Sequence, residues 1–222
     1  MLDNRQYALA TQRNREPILE VLLSILPPKG NILEISSGTG EHAAFFAEHL
    51  PGHRWIPSDP NPAALVSIEA WQKHVKVDNL QSSLILDTRD SVWPIEDLSL
   101  EINAIVNINM IHIAPWTACL GLFSGANRIL PRGGILYLYG PFKRNGEHTA
   151  ESNLIFDHSL RQQNPQWGVR NLEEVIATAK SYSLDLVKIV EMPANNLSVV
   201  FRHIMTSNKQ LIRANTDGQD NI

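Results

Sequence analysis

Along the chain, apolar positions switch repeatedly between helical spacing and short continuous runs. Ile18, Leu19, Leu22, Leu23 and Leu26 recur at helical intervals, and Pro27–Pro28–Lys29–Gly30 stops that helix. Asn31–Ile32–Leu33–Glu34–Ile35 reads as a short buried strand leading into the turn Ser36–Ser37–Gly38–Thr39–Gly40. Ala43, Phe46, Ala47 and Leu50 then put an apolar stripe on a helix that Pro51–Gly52 ends. A second unit repeats the scheme. Residues 53–57 predict a strand, Asn61 offers a helix cap with Pro62 in the first helical position, and Leu65, Ile68 and Trp71 share one face. A third strand is expected over 83–86, ending at Asp87, and a fourth over 102–108. Leu120, Phe123, Ala126 and Leu130 mark the next helix, and Pro131–Arg132–Gly133–Gly134 turns the chain into a fifth strand over 135–139.

Strands alternating with amphipathic helices call for a parallel sheet covered on both faces. The alternation breaks near the end. Asn171 and Glu174 have capping-box spacing ahead of a helix that turns Leu172, Val175, Ile176 and Ala179 inward. Strands over 184–190 and 197–204 follow, joined by Pro193–Ala194–Asn195–Asn196 and flanking residues. That connection is too short for a parallel crossover, so the pair is expected to be an antiparallel hairpin. The fold class predicted is α/β: a Rossmann-like, seven-stranded, mostly parallel sheet with helices on both faces and a C-terminal antiparallel hairpin. One domain is expected over 1–205, and the polar, aperiodic stretch 206–222 reads as a disordered tail.

Bulk properties narrow the function classes. A chain of 222 residues can bury its own core, so no staple is required. Cys119 is the single cysteine, which excludes an internal disulfide and suits a reducing, cytoplasmic setting. The first fifteen or so residues lack the apolar core of a secretory signal, and no apolar run approaches the ~20 residues that cross a bilayer. Lys and Arg are scattered and the net charge is −4, which argues against a nucleic-acid partner. Histidines show no ligand spacing with cysteine and no H-E-x-x-H occurs, so no metal site is expected. Neither a G-x-S-x-G elbow nor a P-loop is present.

The stretch Ile32–Leu33–Glu34–Ile35–Ser36–Ser37–Gly38–Thr39–Gly40 resembles the first motif of class I S-adenosylmethionine-dependent methyltransferases, an acid followed by glycines at alternate positions. The terminal hairpin agrees with that resemblance. More narrowly, the chain is similar to the family whose animal members are called methyltransferase-like protein 26, from about Arg13 to His203. Arg13–Asn14–Arg15–Glu16–Pro17–Ile18–Leu19, Asn109–Met110–Ile111–His112–Ile113 and Gly133–Gly134–Ile135–Leu136–Tyr137–Leu138–Tyr139–Gly140–Pro141–Phe142 carry the likeness, with Ser152–Asn153, Phe156–Asp157, Leu160–Arg161 and Trp167–Gly168. The resemblance implies a methyltransferase fold and S-adenosylmethionine as cofactor, and it names no acceptor.

Residue chemistry gives the candidate site. Gly38 and Gly40 suit a turn where backbone approaches a ligand, and Glu34 can accept from the cofactor's ammonium group. Ser36 stands where the general motif has glycine, adding bulk and a hydroxyl. Asp59, nineteen residues past Gly40, either accepts both ribose hydroxyls or simply opens its own turn. The resemblance to class I methyltransferases implies that Asp87, ending the third strand, accepts from adenine with the Thr88 amide beside it; a solvated loop is the alternative. Asn107, Asn109 and His112 follow the fourth strand, where cofactor and acceptor meet in this fold. Asn107 is assigned to the cofactor, Asn109 to a backbone or substrate contact, and His112 to proton removal or to a hydrogen-bonded core. The long segment 140–168 reads as a lid or as a structural helix, and Tyr139, Asn153, Asp157 and Arg161 are taken as substrate contacts. Arg13–Asn14–Arg15 either holds the cofactor carboxylate or begins a solvated helix.

Gly38–Thr39–Gly40–Glu41–His42–Ala43 also fits the dinucleotide pattern G-x-G-x-x-A. Glu34 and Glu41 flank the turn with negative charge, which suits a sulfonium and opposes a pyrophosphate. Three functions stand on the sequence. They are methyl transfer to a small molecule or a protein side chain, a methyltransferase fold kept for binding without turnover, and nicotinamide-dependent oxidoreduction.

Overall fold

The structure is a computed structural model that describes residues 3–204. The tail read over 206–222 lies outside the described residues. Helix α1 (Leu9–Ile25) begins well before the periodic leucines and carries Pro17 within it. Strand β1 (Gly30–Ile35) leads through the glycine turn to α2 (Glu41–His49), and β2 (His53–Asp59) leads to α3 (Pro62–Val75). Asn61 caps α3 as its spacing predicted, its Oδ1 accepting from the Ala63 amide at 3.0 Å, with proline next in line. After β3 (Leu84–Ile85) come β4 (Ile102–Ile108), α4 (Trp116–Ile129) and β5 (Ile135–Gly140). The segment beyond β5 is not a bare loop. It folds as β6 (Phe142–Arg144), β7 (Glu147–His148), α5 (Glu151–Gln163) and β8 (Arg170–Asn171), with β6 at the centre of a small sheet of its own. Helix α6 (Leu172–Ser181) and the hairpin β9 (Leu184–Met192) and β10 (Asn196–His203) complete the fold.

The main sheet has seven strands in the order β3-β2-β1-β4-β5-β10-β9. Pairing is parallel from β3 through β5, and β10 returns antiparallel between β5 and β9. Each central strand is buried on both faces, so its sequence is a continuous apolar run whose alternate residues serve opposite cores. Leu33, Ile105, Leu136 and Phe201 pack with α4 and α6, while Ile32, Val106, Tyr137 and Val200 pack with α1 and α2.

Two local expectations are corrected. The third strand is only two residues long, because β2 offers it just the Ser58–Leu84 and Asp59–Ile85 pairings; an edge this short invites no further strand. Asn171 does begin α6, but its side chain makes no cap. Its Oδ1 accepts instead from the Gly146 amide at 3.0 Å, and neighbouring Glu173 accepts from the Asn145 amide, tying the β6–β7 turn to the body.

Candidate cofactor and acceptor site

Chain direction across the sheet reverses between β1 and β4, and in such sheets the crevice lies outside the carboxyl ends of the strands at that point. A cavity of about 440 Å³ opens there. Glu34 and the turn 36–39 come to it from β1, Asp59 from β2, Asp87 and Thr88 from β3, and Ile108, Asn109 and Met110 from β4.

The turn after β1 uses the left-handed region at alternate positions: Ser36 at φ 57°, Gly38 at 56° and Gly40 at 81°. The serine therefore stands in a conformation that favours glycine. The glycines divide their work. A Cβ built on Gly38 would meet nothing within 4 Å, so this residue presents bare backbone to the cavity. A Cβ on Gly40 would lie 2.8 Å from the Ile68 Cα, and Gly40 does not line the cavity. Gly40 thus lets α2 pack on α3, a correction to its reading as a cofactor contact.

Three carboxylates face this space. Glu34, 2% exposed, accepts from the Trp55 indole at 2.8 Å and from the Ser37 hydroxyl. Burial pushes its carboxyl up to about 7, against those hydrogen bonds and with the help of nearby Asp59. Asp59 accepts from the Gly38 amide through Oδ2 and the Asn61 amide through Oδ1, both at 2.9 Å. It therefore joins the glycine turn to the start of α3. Asp87 is held by Arg89, whose Nε donates at 2.9 Å and whose guanidinium keeps the carboxyl below its usual range. The Thr88 hydroxyl donates to the Ala118 carbonyl at 2.9 Å. Glu41 turns away: it accepts from the Ala8 amide at 2.9 Å and so fastens the segment before α1. The acidic groups on the crevice are Glu34, Asp59 and Asp87, with Arg89 paired to the last, and Glu41 is not among them.

The fourth-strand residues separate. Asn109 has a φ of 65°, donates its amide to the Tyr139 carbonyl at 2.8 Å and borders the crevice. Such an outlier in a non-glycine residue persists only where surrounding structure holds it. Asn107 is buried beneath; its Nδ2 donates to the Ile35 carbonyl at 3.1 Å, bracing β4 against β1, and it does not line the cavity among the described residues. His112 is fully buried, and burial beside Arg170 pushes its imidazole down to about 3. Its Nδ1 accepts from the Arg170 amide, and its Nε2 lies so close to Gly140 that a Cβ there would sit 2.6 Å away. Among the described residues it borders neither this cavity nor the next, so its reading as a base at the acceptor is corrected in favour of the packed core.

A second cavity of about 370 Å³ adjoins the first, sharing Ala10 and Asn109 with it. Arg13, Asn14, Tyr139, Asn153 and Phe156 line it, together with the β9–β10 connection. Tyr139 and Asn153 thus line this second cavity. Arg13 is turned to this cavity and not to the first, and Arg15 stacks its guanidinium over the Phe45 ring at 4.7 Å. Asp157 and Arg161 line neither cavity. The Asp157 carboxylate is buried, accepts from the Val169 amide at 2.8 Å, and pairs with Lys143 at 3.2 Å, His148 at 3.2 Å and Arg161 at 3.1 Å. Reading these two as substrate contacts is corrected: they pin α5 to the small sheet.

Sequence reasoning missed the wall from the N-terminus, Ala8, Ala10 and Thr11, and the apolar wall Met110, Ile113 and Pro115. It also missed His42, which lines the crevice, pairs through Nε2 with Asn14 Oδ1 at 2.8 Å, and is driven down to about 3 by burial. The one available signal was its place on the first turn after Gly40. Among the described residues no group of three or more His, Cys, Asp or Glu could hold a metal, and no described helix is long and apolar enough to cross a membrane.

Strand order, terminal hairpin and crevice define the class I S-adenosylmethionine-dependent methyltransferase fold. Solved structures share it. Human N-acetylserotonin methyltransferase in complex with SAM aligns with a TM-score of 0.71 and 14% identity over 88% of this chain and 53% of that one. An O-methyltransferase family protein from Burkholderia thailandensis gives 0.74 and 10% over 89% and 58%, and CalO1, a methyltransferase in calicheamicin biosynthesis in its SAH-bound form, gives 0.67 and 13% over 86% and 54%. The chain therefore spans little more than half the length of these proteins. It belongs to the family described as "Protein of unknown function (DUF938)", which matches residues 5–203.

Proposed function

We propose that the protein is an S-adenosylmethionine-dependent methyltransferase acting on a small molecule. The observation that carries this is a buried acid, Glu34, at the floor of a crevice where Gly38 leaves its backbone bare. The residues fit such a cofactor. Its size suits a small-ligand site, which commonly spans about 300–1,000 Å³. Glu34 is positioned for the ammonium end, and a cation beside it would favour its ionised form. Each Asp59 oxygen accepts one backbone amide and keeps a lone pair for a ribose hydroxyl. Met110, Ile113 and Pro115 provide an apolar slot for a flat ring near Asp87 and Thr88.

S-adenosylmethionine supplies a methyl group on a cationic sulfur. What the chain adds is position. Asn109, on the boundary of both cavities, is placed to hold an acceptor in line, and alignment alone accounts for much of the rate in such displacements. No proton is routed through His112, which lies buried behind Gly140. Asp59 and Asp87 against the single Arg89 leave the crevice acidic, which weighs against a pyrophosphate and so against a nicotinamide cofactor.

Calorimetry tests this directly. S-adenosylhomocysteine is expected to bind at micromolar or tighter, Asp59→Ala to weaken it by roughly 10–100-fold, and NAD and NADP not to bind. Binding of NAD in place of S-adenosylhomocysteine would overturn the reading. Tight S-adenosylhomocysteine binding without methyl transfer to any acceptor would favour a binding protein on the same fold.

A further inference from the structure

The two adjoining cavities differ in their charged lining. Glu34, Asp59 and Asp87 border the first. Arg13 is the charged residue on the second, whose lining holds no carboxylate among the described residues. Arg89, the arginine on the first cavity, is already held by Asp87. The exposed Arg13 side chain, on helix α1, makes no hydrogen bond or ion pair among the described residues, although its charge reaches the Tyr139 phenol.

Tyr139 sharpens the picture. Its hydroxyl lies near the side chains of Asn14 and Asn196, and burial raises its pKa, so it remains a neutral phenol. Around it the lining alternates amides with apolar surface, as at Asn153, Phe156 and Pro141. A guanidinium fork without a partner, at one side of a cavity this size, matches a planar oxyanion in charge and in geometry. From Arg13 the cavity runs to Asn109, where it meets the crevice.

We propose that the methyl acceptor is a small organic acid whose carboxylate pairs with Arg13 in the second cavity while its reacting atom lies at Asn109. This rests on the methyltransferase reading for the step itself, but the anion site stands on Arg13 and its cavity. Charge separation then sorts the ligands: the cationic donor is drawn to the acidic crevice and the acid to its neighbour.

The test uses the full chain, free and saturated with S-adenosylhomocysteine. Salicylate, 3- and 4-hydroxybenzoate and indole-3-acetate are compared with their primary amides by saturation-transfer NMR. Acids are expected to bind and amides to bind at least about tenfold more weakly. Arg13→Gln should abolish the preference, Arg13→Lys should restore part of it, and neither should move S-adenosylhomocysteine affinity more than about twofold. Equal binding of acids and amides, no binding of either set, or an acid preference that survives Arg13→Gln would overturn the proposal. Arg13-dependent acid binding in a protein that fails to take S-adenosylhomocysteine would sustain the anion site and sink the cofactor reading instead.

Discussion

The crevice and the segment that follows β5 use polar side chains for opposite purposes. Around the crevice, Glu34, Asp59 and Asp87 sit at strand ends and face open space, with backbone amides, an indole or an arginine steadying them from behind. In the segment over 141–171 Ser152 and Asn153 line the second cavity, but the charged groups gather on one another. Asp157 draws Lys143, His148, Arg161 and the Val169 amide together, and nothing of that cluster borders a cavity. Strand ends in a parallel sheet aim side chains at a ligand by default. An inserted unit with few apolar residues of its own must instead be bound down by charge.

That contrast can be broken most forcefully at Asp157. Asp157→Ala leaves the buried Val169 amide without its acceptor and removes the shared partner of the partly exposed Lys143 and Arg161, and should cost about 2–3 kcal/mol, seen as a melting temperature lower by roughly 5–10 °C. Its folded fraction should keep S-adenosylhomocysteine affinity; a selective loss of affinity would place Asp157 on the functional side. The acid at the crevice floor behaves differently. Glu34 is raised from 4.5 to about 7, so the folded chain prefers it protonated. Its contribution is whole below the unfolded value and drains away as pH rises through the folded one, a loss of about 3 kcal/mol when complete. Urea unfolding of the wild type should therefore weaken relative to Glu34→Gln as pH climbs from about 5 to 8. The reference variant cancels His42 and His112, whose shifts run the other way.

Smaller effects separate the glycines. Gly40→Ala should cost about 2 kcal/mol, since its Cβ meets the Ile68 backbone as well as an unfavourable φ. Gly38→Ala should cost only about 1 kcal/mol yet weaken S-adenosylhomocysteine, because its new methyl enters the cavity. Matching losses of stability and of binding for the pair would erase the division of labour. Smallest of all, Ser36→Gly should stabilise by about 0.5 kcal/mol by relieving a left-handed serine, as denaturant midpoints would show.

How legible each region was follows from the same difference. Strand ends, the glycine turn and the Asn61 cap are local in sequence, so strand spacing together with the family resemblance pointed to Glu34, Gly38, Asp59 and Asp87, which line one cavity. Even there, the split between Gly38 and Gly40 was hidden, because it depends on Ile68 approaching from another helix. In the inserted unit the partners of Asp157 are scattered from 143 to 169, and only Arg161, four residues on, was near enough to hint at an ion pair. His112 lay in the apolar run 110–113, and burial by Phe142 and Gly140 became visible only in three dimensions. The start of α1 escaped because Thr11 and Asn14, not aliphatic residues, occupy its first buried positions.

The seam between the cavities also bears on how this fold could diversify. Among the described residues their walls share Ala10 and Asn109 alone. Exchanges at Phe156 or Asn153 can therefore retune one chamber while the other keeps its shape. Position 109 enjoys no such freedom, because its left-handed backbone penalises nearly every replacement except glycine and aspartate, whatever new molecule the neighbouring chamber learns to admit.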